Sequence, residues 1–140
     1  MAGSKSLYLS NKLLNLMLGS TAYSVPATLY VGLWTDSNTL VDASDGSTSG
    51  EVSGGSYARV AITNDTTTWG AATTDGTRKN KIAITFATSS GSWGTIEQVA
   101  ILDASTAGNI LWWSDLSVPK SITNGDTPKI EIDNLIFVDN

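Results

Sequence analysis

Glu51, Glu97 and Glu131 are the three glutamates of this chain, and with them lies its nearest approach to acid–base chemistry. Cleaving a sugar chain needs two carboxyl groups facing each other across a cleft, about 5–5.5 Å or about 6.5–9.5 Å apart depending on the stereochemical outcome. Glu97 stands just before an apolar run and Glu131 alternates with Ile130 and Ile132, so both fall at ordinary outward-facing strand positions. Histidine and cysteine are absent, which excludes Ser-His triads, thiolate nucleophiles, disulfides and the usual zinc ligand sets. Asp42, Asp45 and Glu51 invite a calcium reading, but the regular ligand spacing of an EF-hand loop is missing. Ser53-Gly54-Gly55-Ser56 lacks the lysine and following helix of a phosphate loop and reads as a turn. No catalytic residue, metal ligand or cofactor is assigned, and the chain is expected not to be an enzyme.

The aromatic residues say more. Trp34, Trp69, Trp93, Trp112 and Trp113 are many for so small a domain. An indole contributes a large contact area at low entropic cost, which suits it to stack on sugars or to anchor an interface. Trp93 and one of the Trp112/Trp113 pair are expected in the core. Trp34 falls on the outward face of its strand, and Trp112 and Trp113, being successive, must point to opposite faces of a sheet. At least one of the pair therefore leaves the sandwich core. Trp34, Trp69, Trp112 and Trp113 are accordingly the candidate oligomer or partner interface.

These residues need a scaffold, and 140 residues suit a single domain that buries roughly two-thirds of its unfolded surface. The net charge of −5, with eight basic residues scattered over the chain, argues against a nucleic-acid partner. Leu7 to Leu18 is interrupted by Ser10, Asn11, Lys12 and Asn15 and falls short of the about 20 apolar residues of a membrane span. A soluble, unprocessed protein with no membrane partner is expected.

The chain is organised around Ser92 to Trp113. Val99-Ala100-Ile101-Leu102 and Ile110-Leu111-Trp112-Trp113 are unbroken apolar runs joined by the polar turn Asp103 to Gly108, which marks a hairpin of central strands with little water on either face. One face can meet the opposite sheet; the other is expected to be covered by the chain's one helix or by a neighbouring molecule. That helix starts from Ser10 as cap and ends at Gly19, with Leu13, Leu14, Met17 and Leu18 on its apolar face, and is expected to plug its own sandwich. Met1 to Ser6 reads as a flexible arm preceding one domain over residues 7–140.

Further strands are expected at Leu29–Thr35, Tyr57–Ile62, Lys81–Phe86 with Ile82, Ile84 and Phe86 inward, and around Ile130 and Leu135–Val138. Thr66–Ala72 reads as a short edge strand or an ordered loop. Val118-Pro119 should break any strand. Asp36–Ser56 is a long polar loop, a place for function or disorder. About eight short strands without crossover helices predict an all-β, jelly-roll-like antiparallel β-sandwich with one short N-terminal amphipathic helix.

The series Gly50-Glu51-Val52-Ser53-Gly54-Gly55-Ser56-Tyr57-Ala58-Arg59, Ser92-Trp93-Gly94-Thr95-Ile96, Val99-Ala100-Ile101 with Asp103-Ala104, Gly108-Asn109-Ile110-Leu111-Trp112 and Asn124-Gly125-Asp126-Thr127 resembles small tailed-bacteriophage virion proteins. The leading helix and Tyr30-Val31-Gly32-Leu33 are similar too. Members are labelled capsid decoration (cement) or tail-fibre-like proteins. The resemblance implies a β-sandwich without catalysis, forming a homotrimer on the virion surface. The expected function is capsid decoration, with the major capsid protein as partner and three weak contacts linked by avidity. The alternative is a tail-fibre tip in which Trp34, Trp69 or loop Asp36–Ser56 grips host glycans.

Overall fold

A computed structural model describes residues 2–36 and 39–139. Met1, Ser37, Asn38 and Asn140, which belong to the expected arm, the long loop and the end of the chain, lie outside the described residues. The elements are β1 (Ala2–Lys5), α1 (Leu7–Gly19), β2 (Thr28–Trp34), β3 (Val60–Thr63), β4 (Thr77–Lys79), β5 (Ile84–Thr85), β6 (Gly94–Leu102), β7 (Ile110–Ile122), β8 (Lys129–Ile130) and β9 (Ile136–Val138). Seven strands form one sheet in the order β3-β2-β6-β7-β1-β9-β4, and β5 pairs with β8 in a second. All pairs are antiparallel except β1 with β9. This is the expected all-β sandwich with one N-terminal helix.

The central hairpin is β6 and β7, with Ala100 opposite Trp113 and Ile101 opposite Trp112. Gln98 to Leu102 are buried without a break, as the uninterrupted apolar run requires. One face of the hairpin joins the main core, where Val31, Leu33, Ile84, Phe86, Trp93 and Ile96 meet. The other face carries Ala100, Leu102 and Ile110 and packs with Trp34 and Leu40. Within the chain its cover is therefore not the helix but the long loop. The loop is tied down by the buried Gln98, whose Oε1 accepts from Leu40 N at 3.0 Å while its Nε2 donates to Asp115 at 2.7 Å. A buried amide satisfied at both ends in this way costs little and pins the loop to one position.

Three further expectations give way. Residues 2–5, read as part of a mobile arm, form β1, which pairs with both β7 and β9. Small residues carry no sequence signal for a strand, but the open edge of β7 has backbone groups to satisfy and this segment satisfies them. Val118-Pro119 does not end β7. Ile96 pairs with Lys120 and Gln98 with Asp115, so Leu116 to Pro119 bulge outward opposite Glu97, where proline's missing N–H is not needed. Ile82 is exposed rather than inward, because only Ile84 and Phe86 of its segment enter the core. Trp69 makes an isolated bridge to Asn80, so Thr66–Ala72 is an ordered loop.

The helix starts earlier than expected. Ser6 is the cap, its Oγ accepting from Leu9 N at 3.1 Å, and Ser20 rather than Gly19 takes the left-handed conformation at the end. Ser6 N bonds Leu111 O at 2.8 Å and Leu7 N bonds Asp42 O at 2.6 Å, which fastens the first turn to the sheet. Leu9 is buried and Leu13 half-buried against the core. The expected inner residues Leu14, Met17 and Leu18 are instead exposed, by 55%, 76% and 84%. The helix plugs the sandwich only along its first half.

Gly46 illustrates how tightly the covering loop is seated. It is buried, its N–H bonds Gly108 O at 3.0 Å, and a Cβ there would lie 1.8 Å from Ala107 O. Gly46→Ala is expected to cost about 1–3 kcal/mol, because backbone rather than a flexible side chain must move. Gly70→Ala, whose nearest contact would be an ordinary 3.5 Å, should cost clearly less when both variants are unfolded in urea.

Candidate functional site

The most densely bonded polar cluster is built by the covering loop and by Tyr57 and Arg59, which precede β3. Arg59 Nε and Nη2 donate to Glu51 Oε1 and Oε2, both at 2.7 Å, a two-pronged pair. The same guanidinium donates to Ala104 O at 2.9 Å, Ala107 O at 2.8 Å and Gly46 O at 2.9 Å. It thus joins the β6–β7 turn to the covering loop. Tyr57 OH donates to Glu51 Oε1 at 2.9 Å and accepts from Leu33 N at 2.9 Å. Burial, with the Glu51 carboxylate beside it, pushes the Tyr57 phenol well above its ordinary range. Only planar arginine can serve a carboxylate and three carbonyls at once.

Chemically this cluster is a clamp. Both oxygens of Glu51 are engaged, so it is not a base waiting for a water. Glu131 pairs with Lys129 at 2.8 Å. The acids of the loop go to separate partners: Asp42 accepts from Trp113 Nε1 at 3.0 Å, and Asp45 accepts from Ser47 N at 2.8 Å. Among the described residues no three carboxylates gather where they could hold a metal ion.

The tryptophans expected at an interface are distributed differently. Trp34 is fully buried: its indole stacks under the covering loop, donates to Thr48 O at 3.2 Å and lies 6.0 Å from the Arg59 guanidinium. Trp69 is 6% exposed and meets Phe137 edge-on at 5.4 Å. Neither can stack on a sugar. Trp112 and Trp113 do face opposite sides of the sheet, and each is half-buried by its own chain. Trp112 packs on Phe137 at 5.2 Å with Lys5 above it, and Trp113 joins Trp34 and Leu40. Trp93 is in the core, as expected, with its Nε1 bonded to Gly55 O at 2.8 Å. The two-sided apolar hairpin is therefore largely sealed without a neighbour.

What remains unsealed lies elsewhere. Leu14, Leu16, Met17 and Leu18 of α1 and Val25 after it are exposed, an apolar surface larger than scattered single residues make. Beside them opens a cleft of about 470 Å³, bounded by α1, Tyr23, Trp69, Arg78, Trp112 and Phe137. Sequence reasoning missed Arg59 and Arg78, the chain's two arginines. Their scarcity in an acidic chain was the available signal.

Comparison with known proteins turns this geometry toward a biological class. The family model described as podophage GP4 fiber I protein gp80 matches residues 4–137. The chain belongs to this family. It is a phage structural protein and virion-associated. No curated protein matches the chain. Of the two labels offered by the resemblance, the fibre one agrees with the family, and capsid decoration finds no support in it.

Proposed function

We propose that this chain is a structural component of a podophage tail fibre and that it assembles as a homotrimer. The observation that carries the tail assignment is the fibre-family match over residues 4–137. The open apolar surface of α1 supports the assembly part: a helix that packs Tyr8, Leu9 and Leu13 on the core gains little by also carrying Leu14, Leu16, Met17 and Leu18 unless they are covered in the particle. Host glycan recognition through Trp34 or Trp69 is not part of this reading, since both indoles are buried.

Immunogold electron microscopy with antibodies against this chain should label the virion tail. Label confined to the capsid shell would overturn the tail assignment and return the decoration reading. Light scattering of the purified chain should give three times its 14.7 kDa mass.

A further inference from the structure

The cleft beside α1 contains an unmet demand. Trp69 Nε1 and Arg78 Nε are both buried and have no hydrogen-bond partner. Arg78 makes no ion pair among the described residues, and the acid in the same lining, Asp139, is engaged by Lys5. Arg78 as a whole is half-buried, but a buried indole N–H and a buried guanidinium N–H that both lack acceptors are costly. Apart from Asn64, whose amide N–H is given to Pro26 O, the rest of the wall is mainly apolar, Leu13, Leu16, Tyr23 and Phe137 among it, and does not serve the many hydroxyls of a sugar. The occupant this lining fits is a large apolar side chain next to a carboxylate.

The chain itself carries such a pair. Between β8 and β9, Ile132 is 54% exposed, and Asp133 follows it in the left-handed conformation, φ 65°. Asp133 N is bonded to Asn80 O at 2.9 Å, which fixes the turn, while its carboxylate has no partner among the described residues. Among the described residues the other exposed large apolar residue beside an aspartate is Val41, and Asp42 is already taken by Trp113. We propose that Ile132-Asp133 of one copy seats in the Trp69–Arg78 cleft of the next, the carboxylate accepting from Arg78. Knob and cleft are different patches of one chain, so the contact is head-to-tail, and in a homotrimer it closes into a ring. This inference rests on the homotrimer reading and names its seam.

The test is a charge swap in the full-length chain, read by light scattering over a concentration series with circular dichroism as the check on folding. Asp133→Lys, at an exposed turn, and Arg78→Glu should each weaken association at least about tenfold. Ile132→Ser should weaken it as well. The double variant Arg78→Glu/Asp133→Lys should recover the wild-type mass. A wild-type trimer indifferent to Asp133→Lys and Ile132→Ser would overturn this seam and leave the trimer standing. Single losses without recovery in the double variant would overturn the direct pairing, and a wild type that stays monomeric throughout would overturn both readings. Should Arg78→Glu fail to fold, Asp133→Lys and Ile132→Ser still decide.

Discussion

Arg59→Met is expected to destabilise the fold by about 3–5 kcal/mol, which for a domain of this size lowers the thermal midpoint by roughly 10–20 °C. The Arg59 side chain is 3% exposed and that of Glu51 21%, so removing the guanidinium strands a mostly buried carboxylate. It also leaves the carbonyls of Gly46, Ala104 and Ala107 without their donor. Each loss is of the expensive kind, in which one partner is deleted and the other stays out of water. Arg59→Lys should recover only a minor part, because an ammonium cannot make the paired contact with both oxygens of Glu51 and also reach three carbonyls. Adding Glu51→Gln to Arg59→Met should cost less than the two changes summed, since the second removes the charge that the first strands. Scanning calorimetry of the wild type, the three single variants and the double variant reads this out. A midpoint within about 2 °C of wild type for Arg59→Met would mean that the cluster only decorates the surface.

Trp34→Ala is the second large effect, about 3–5 kcal/mol from the lost indole and the cavity it leaves. Trp34 is the centre of the second apolar cluster, and a Cβ on Gly32 would meet its ring at 2.9 Å, which is why glycine stands beside it. The consequence should be local before it is global. The covering loop is held by Leu40 against Trp34 and by the indole's bond to Thr48 O, so hydrogen exchange over residues 39–50 should speed up more than exchange in β6. Trp34→Phe keeps most of the volume and should lose far less stability. Uniform acceleration across the whole sheet would instead mean that loop and hairpin open as one unit.

Both variants strike the same construction, a loop used as a layer of the fold, and here the reading from residues was weakest. Asp36–Ser56 is polar and rich in glycine, serine and threonine, which by composition describes a loop free to move. Its role depends on two buried apolar residues, Leu40 and Val52, on Glu51, and on partners far along the chain: Gln98, Arg59 and Gly108. Pairings over such separations leave no periodic trace. The interface residues fared alike. Trp34 was correctly placed on the face away from the main core, yet that face is covered from within, so exposure could not be inferred from orientation. The apolar character of α1 was legible, whereas its half-exposure was not, because that depends on where Ser6 and Leu7 are fastened to the sheet. Arg78 drew no notice because a lone arginine in a polar stretch looks solvated until its surroundings are known.

Local pattern by itself determined the class of this protein: the alternation in β2, the two unbroken runs of β6 and β7, the missing histidine and cysteine, and a run of short motifs that point to phage virion proteins. Those features are decided by neighbours within a few residues and survive in one dimension. Only the tertiary structure decided which surfaces stay open. Burial is a property of contacts between segments distant in sequence, so whether an apolar face meets its own loop or awaits another chain is settled by the folded arrangement of backbone hydrogen bonds and by the long-range pairs, Arg59 with Glu51 and Gln98 with Leu40, that lock it.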